Sequence, residues 1–345
     1  MKLGIIGLPG AGKSTLFEAL TGIIPGEEGR KPEDRLGTIQ VPDPRVDTLR
    51  DLYNPKKTVF AQVEYFLPYM AAHSPDQKKE ETVWSPVRTC DALIHVLRNF
   101  PGYGLDDPAP LNDFHHLDEE MIFADLVVVE KRLERLSLDK RRGRKTDLEE
   151  EKLLVECRDL LEREIPLRRN PELATAHLLK GFTFLSAKPM LVLFNNEDDN
   201  DALPPAEKLM EQETCQVVRA GLEHELSQMQ EEEAREYLEE FGIATSAMDR
   251  VIKLSYDILG LISFFTVGED EVRAWTIKKE TPAVDAAEAI HSDIKKGFIR
   301  AEIISYTDLM AAGSHKEAKK QGTFRLEGKT YLVQDGDIIE FRFNV

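Results

Sequence analysis

Cysteine is scarce in this chain. Cys90, Cys157 and Cys215 are three in 345 residues, widely spaced and without a Cys-x-x-Cys pair. That usage excludes a disulfide-framed scaffold and a thiolate zinc cluster, and it suits a reducing compartment. No apolar run approaches the length of a membrane span, so no membrane partner is expected. The first residues already read as a buried strand, so no signal peptide is expected ahead of them and a cytoplasmic location follows. Positive charge is also short. Lys and Arg total 45 against 63 Asp and Glu, a formal charge of −18. Indiscriminate binding to nucleic acid is excluded, although a local basic patch is not. The length allows two or three domains with a sizeable core.

Against that background one motif stands out. Gly7-Leu8-Pro9-Gly10-Ala11-Gly12-Lys13-Ser14 satisfies the phosphate-loop pattern G-x-x-x-x-G-K-[ST], with Thr15 following. An apolar strand, Leu3 to Ile6, enters the loop and a helical pattern from Thr15 to Leu20 leaves it. Inward backbone N–H groups and the helix N-terminus make an anion site. Lys13 can reach the β- and γ-phosphates, and Ser14 can ligate Mg²⁺. The pattern predicts phosphate contacts from Gly7, Leu8, Pro9, Gly10, Ala11, Gly12, Lys13, Ser14 and Thr15.

Residues 1 to about 110 alternate strand and helix patterns, as in an α/β nucleotide domain. Residues 22–37 and 71–82 read as surface loops or switches. From Leu117 the period becomes helical, through Met121, Ala124, Leu126, Val128 and Leu133, and again from Leu148 to Leu161. Between them lies the basic turn Lys140, Arg141, Arg142, Arg144 and Lys145, with Asp147 placed to start the second helix. The spacing predicts a helical hairpin with that turn at its tip. Pro189 to Phe194 restores a strand, and from about Phe264 short strands dominate. Thr330–Val333 and Ile338–Phe343, flanking Gln334-Asp335-Gly336-Asp337, read as a hairpin.

Four stretches carry a family resemblance: Gly7 through Phe17, Val41-Pro42-Asp43-Pro44-Arg45, Glu271 through Ile277, and Lys296 through Ala301. The ending Phe343-Asn344-Val345 adds to them. Through these words the chain resembles the YchF-type, Obg-like ATPases, a branch of the translation-associated P-loop GTPases, over essentially its whole length. The resemblance implies an α/β P-loop NTPase domain of the Ras-like, Obg-related kind, an inserted helical hairpin arm and a C-terminal β-grasp (TGS, ubiquitin-like) domain. The expected boundaries are 1–116 and 185–262 for the nucleotide domain, 117–184 for the arm and 263–345 for the TGS domain. It also implies ribosome association and use of ATP rather than GTP.

The departures from the family bear on mechanism. Gly10-Ala11 stand where Asn-Val is usual. Lys31 falls near the Mg²⁺-ligating switch I threonine, and Leu67-Pro68-Tyr69-Met70 replaces the second-switch D-x-x-G. The family's hydrolytic histidine would fall near Asp106-Asp107, and His115-His116 lie too far along. Glu64 is a candidate replacement carboxylate, but it comes three residues early on its strand and points to the other face. These losses predict a site with a reduced Mg²⁺ requirement and slow turnover.

Base recognition is expected at Asn195-Asn196-Glu197-Asp198, which restores an Asp where the family carries Glu but lacks the Lys of N-K-x-D. Asn195, Asn196 and Asp198 are the candidate base contacts, with backbone contacts from Ala220 and Gly221. ATP and GTP both stay open. Lys140, Arg141, Arg142, Arg144 and Lys145 are candidate contacts to a ribosome or RNA, with the TGS domain as a second contact. The expected protein is a slow ribosome-associated NTPase. Its rival is a nucleotide-binding scaffold with little or no hydrolysis, because the second switch is degenerate.

Overall fold

The computed structural model describes residues 1–24, 33–69, 80–102, 104, 106–240 and 246–344. The chain divides into two compact units. One comprises Met1–Gly37 and Glu64–Met248, the other Thr38–Val63 and Asp249–Val345. Lys31 and Met70 lie outside the described residues.

The sheet of the first unit has six strands, β1 (Lys2–Ile6), β2 (Arg35–Gln40), β4 (Gln62–Leu67), β5 (Ala92–Asn99), β6 (Met190–Asn196) and β7 (Thr214–Val218), with the unit boundaries falling inside β2 and β4. They form one sheet of order β2-β4-β1-β5-β6-β7. The pairs β1–β4, β1–β5, β5–β6 and β6–β7 are parallel. β6 is buried from end to end, which explains its near-continuous apolar sequence: both faces of a parallel strand are covered. Helix α1 (Lys13–Thr21) follows β1, and Gly22 in the left-handed region ends it. Helix α3 (Glu80–Arg88) leads into β5. Leu93, Leu97, Phe114, Leu117, Met121 and Phe194 belong to one core, which runs from the sheet into helix α4 (Pro110–Arg141).

The arm follows from heptad spacing. Ile122, Val129 and Leu136 recur every seven residues on α4 and share a core with Leu154, Cys157 and Leu161 of helix α5 (Leu148–Leu161). Asp147 caps α5, accepting from the Glu149 and Glu150 amides. At the arm's base Asp125 is fully buried. It accepts from the amides of Leu185 (3.1 Å) and Ser186 (2.7 Å) and from Arg88 Nη1 (2.8 Å). Burial still pushes its carboxyl above the ordinary value.

The second unit holds strands β3 (Lys57–Val59), β8 (Leu261–Val267), β9 (Glu271–Lys278), β10 (Phe298–Ser305), β11 (Arg325–Glu327) and β12 (Asp337–Phe343). They form a mixed sheet of order β11-β10-β12-β8-β9-β3. β8–β9 and β10–β12 are antiparallel, and β12 lies parallel to β8. With the helix Ala283–Ile290 sharing a core with Phe264, Ile303 and Ile339, this is the expected β-grasp. Phe298 is in that core, and Trp275 packs against it with its Nε1 donating to Thr266 Oγ1. Residues 38–63 contribute helix α2 (Pro44–Tyr53) and β3, which pairs in parallel with β9.

The expected terminal hairpin is not formed. Leu332 makes only an isolated bridge to Pro282, and β12 pairs with β10 instead. The Asp-Gly signal is real, for Gly336 has φ 87. Asp335, however, spends its carboxylate on the Ser263 amide and on Arg45, so the turn serves β8 rather than a hairpin partner.

Candidate functional site

The loop between β1 and α1 has the geometry its glycines require. Gly10 and Gly12 have φ of 80 and 91, in the left-handed region. A Cβ on Gly7 would stand 2.5 Å from the Val96 carbonyl oxygen, and one on Gly12 would collide with Asn195 Nδ2. The Lys13 ammonium donates to the carbonyls of Gly7 and Leu8, both at 2.8 Å. Burial lowers its pKa to about 8. Ser14 is exposed and Thr15 half-buried at the start of the helix.

Asn195, at the end of β6, braces this loop. It is buried, donates from Nδ2 to the Ala11 carbonyl and accepts the Ala220 amide on Oδ1, both at 3.0 Å. One side chain thus joins the phosphate loop to the first turn of the helix Ala220–Gln228. Asp198 lies exposed beyond the strand, and its Oδ1 accepts the Leu222 amide at 3.0 Å. A side chain on Gly221 would press within 3.0 Å of the same carboxylate. Asn196 behaves differently. Its Oδ1 accepts from Asn99, and its Nδ2 donates to the carbonyls of Asn200 and Ala202.

Gly12, Thr15, Asn195, Asp198 and Gly221 line one cleft of about 530 Å³, and Phe100 joins them. The sequence reading did not single out Phe100, a lone aromatic one residue past β5 with no motif around it. It also missed Asp34, whose carboxylate accepts the Tyr69 amide at 2.8 Å and ties the start of β2 to the segment replacing D-x-x-G. Glu64 sits beside Lys2 in the β1–β4 register, at the end of β1 away from the phosphate loop. It is therefore not a substitute metal ligand.

Among the described residues no group of three His, Cys, Asp or Glu could hold a metal. His116 pairs instead with Glu120, and His115 meets the edge of Phe114. His95 is wholly buried against Phe114, and burial lowers its pKa to about 3. It is a neutral core residue.

The basic arm tip is partly self-neutralised. Lys140 pairs with Glu151, and Arg144 with Asp139 at 3.0 Å. Arg141, Arg142 and Lys145 are exposed without an ion pair among the described residues. No described helix is long and apolar enough to cross a membrane.

Comparison with known proteins places these features in context. Residues 261–344 match the family model YchF-GTPase_C, described as a protein of unknown function (DUF933). The chain is 38% identical over 363 residues to a protein of Bacillus subtilis named ribosome-binding ATPase YchF, covering 99% of each. A Haemophilus ducreyi protein of the same name is 37% identical over 367 residues, covering 100% of this chain and 99% of that one. The solved structure of the Schizosaccharomyces pombe YchF GTPase superposes with a TM-score of 0.84 at 29% identity, over 99% of this chain and 97% of the other.

Proposed function

Because the chain belongs to the YchF family, we propose that it binds a purine nucleoside triphosphate, ATP before GTP, hydrolyses it slowly, and acts on the ribosome in the cytoplasm. The observation that carries this reading is the bracing of the Lys13 loop by Asn195, which also reaches the helix bordering the same cleft. A triphosphate extending from that cleft would lie along the loop amides, and Lys13 would exchange its two carbonyl partners for phosphate oxygens.

Adenine is favoured by the state of Asp198. A guanine clamp uses both carboxylate oxygens, on N1–H and the 2-amino group. Here Oδ1 already accepts the Leu222 amide. Guanine would have to share Oδ1 with that amide, whereas a single amino group such as that of adenine needs only Oδ2. No Lys follows Asn195 to cover the ring, and Phe100 is the aromatic at hand. The Asn196 amide is spent within the protein, so it shapes the cleft rather than reading the base. The Bacillus and Haemophilus relatives are named as ATPases, and the yeast one as a GTPase. All three names carry hydrolysis, and none supports a scaffold without it.

Mg²⁺ fits as part of the nucleotide complex. It commonly binds through one or two protein ligands, phosphates and water, and the exposed Ser14 hydroxyl supplies one such ligand. When bound, the metal would neutralise charge on the phosphates. Ribosome contact is assigned to the arm tip and the β-grasp unit, in keeping with the relatives' printed names.

The test is calorimetric titration with ATP and GTP, with Mg²⁺ and with EDTA, followed by phosphate release with and without ribosomes. ATP binding tighter than GTP binding, with slow release that changes when ribosomes are added, is expected. Tighter GTP binding would overturn the adenine argument, and no binding of either would overturn the whole reading.

A further inference from the structure

Arg98 stands near the end of β5, beside Asn195 in the β5–β6 register. Its guanidinium turns outward to the loop that follows. Nη1 donates to the Phe100 carbonyl at 3.1 Å, and Nη2 to the Asp106 carbonyl at 2.7 Å. One planar fork thus bridges two carbonyls six positions apart and closes the loop on itself. Two separate guanidinium nitrogens make the two bonds, in one rigid plane. None of the loop's described residues from 101 to 109 is fully buried, and segments with few buried neighbours open at low free energy. Asn99, the next residue, does the matching service for the opposite loop through Asn196.

We infer that Arg98 is a positioning residue for nucleotide binding: by clasping the Phe100 and Asp106 carbonyls it holds the Phe100 ring in the cleft as the stacking surface for the purine. Arg98 need not touch the nucleotide. It fixes the backbone from which Phe100 projects, one residue past the strand, and the ring then meets the base without first being ordered. The inference rests on the purine-nucleotide reading above, and it assigns a role to a side chain outside the phosphate-loop and base motifs.

The experiment compares ATP with inorganic tripolyphosphate, which has the phosphates but no base. Both are titrated into wild type, Arg98→Ala, Arg98→Gln, Phe100→Ala and the double variant Arg98→Ala/Phe100→Ala, with thermal melts confirming that each folds. Loss of base–aromatic stacking should weaken ATP about tenfold or more in Phe100→Ala. Arg98→Ala should show most of that loss, tripolyphosphate affinity should be unchanged, and the double variant should be no worse than Phe100→Ala. A purely structural role would weaken both ligands together. The clasp is overturned if Arg98→Ala and Arg98→Gln bind ATP as wild type does, if the two substitutions add in full, or if tripolyphosphate falls in parallel. Wild-type protein that binds tripolyphosphate but gains nothing from the base sinks the purine reading and this inference with it. Tight wild-type ATP binding with indifferent Arg98 variants sinks the clasp alone.

Discussion

Arg45 and Asp335 are 290 positions apart, and their side chains meet at 2.7 Å. The same guanidinium grips Asp43 through Nε and Nη2, at 2.9 and 2.8 Å, and lies over the Phe265 ring. Burial works against its charge, and hydrogen bonds to Asp43 and Asp335 more than offset it, so its pKa is raised. Arg45→Ala should lower the stability of the β-grasp unit by about 1–3 kcal/mol, through the loss of charge-assisted bonds and of packing. Arg45→Lys should recover little, because an ammonium cannot serve both carboxylates in the same plane. Urea unfolding followed by Trp275 fluorescence, in a Trp84→Phe background, reads this directly. A variant that unfolds with the wild type would show the cluster to be ornamental.

Lys13 should make nucleotide binding proton-linked. Its folded pKa, about 8, lies below the ordinary 10.5. Keeping the ammonium buried therefore subtracts stability below pH 8, and the penalty fades as pH rises toward 10.5. A triphosphate restores the preference for the ammonium. Titration at about pH 9 in buffers of different ionisation enthalpy should show proton uptake, and titration at about pH 6.5 should show none from this group. Lys13→Ala should abolish tight ATP binding and leave the melt near wild type. Equal proton uptake at the two pH values would contradict the assignment.

The arm cations should not contribute equally to ribosome association. Lys140 and Arg144 already have carboxylate partners, so Arg141, Arg142 and Lys145 have more charge to offer phosphates. Replacing these three by Ser should reduce the salt slope by about 0.7–0.9 for each phosphate no longer neutralised. Replacing Lys140 and Arg144 should do less. Co-sedimentation across a salt series decides between the sets, and equal slopes for both would reduce the tip to a solvated turn.

Asp125→Ala should be the most damaging single change at the arm. It leaves the Arg88 charge and the Leu185 and Ser186 amides without their acceptor in a buried place. A loss of about 3–5 kcal/mol is expected. Thermal unfolding measures the total, and protease sensitivity of α5 tells whether the arm loosens first. A loss under about 1 kcal/mol would mean that water reaches these groups.

The phosphate loop was legible because its information is contiguous: eight neighbouring residues, three of them glycines with φ that other residues resist. The arm was legible because Leu117, Met121, Ala124, Leu126, Val128 and Leu133 recur near a helical interval and Asp147 is a strong cap, although the heptad seam itself runs through Ile122, Val129 and Leu136, which that pattern did not pick out. Phe100 was not legible, since nothing local distinguishes a cleft-lining phenylalanine from a core one. The membership of 38–63 was not legible either. β3 is three residues long, and its partner begins at Glu271. The Asp335-Gly336 turn misled because a tight turn signals a change of direction but not the strand that receives it.

The boundaries between the two compact units fall at Gly37–Thr38, Val63–Glu64 and Met248–Asp249. A stop codon near residue 260 would therefore not release a clean nucleotide-binding fragment. It would strip β3 of β9 and leave α2 without the strand it packs on, near the start of the chain. The β-grasp unit cannot be cut off like a tail or grafted like a tag. Moving the unit intact means carrying two separated pieces of coding sequence, for residues 38–63 and 249–345, at once.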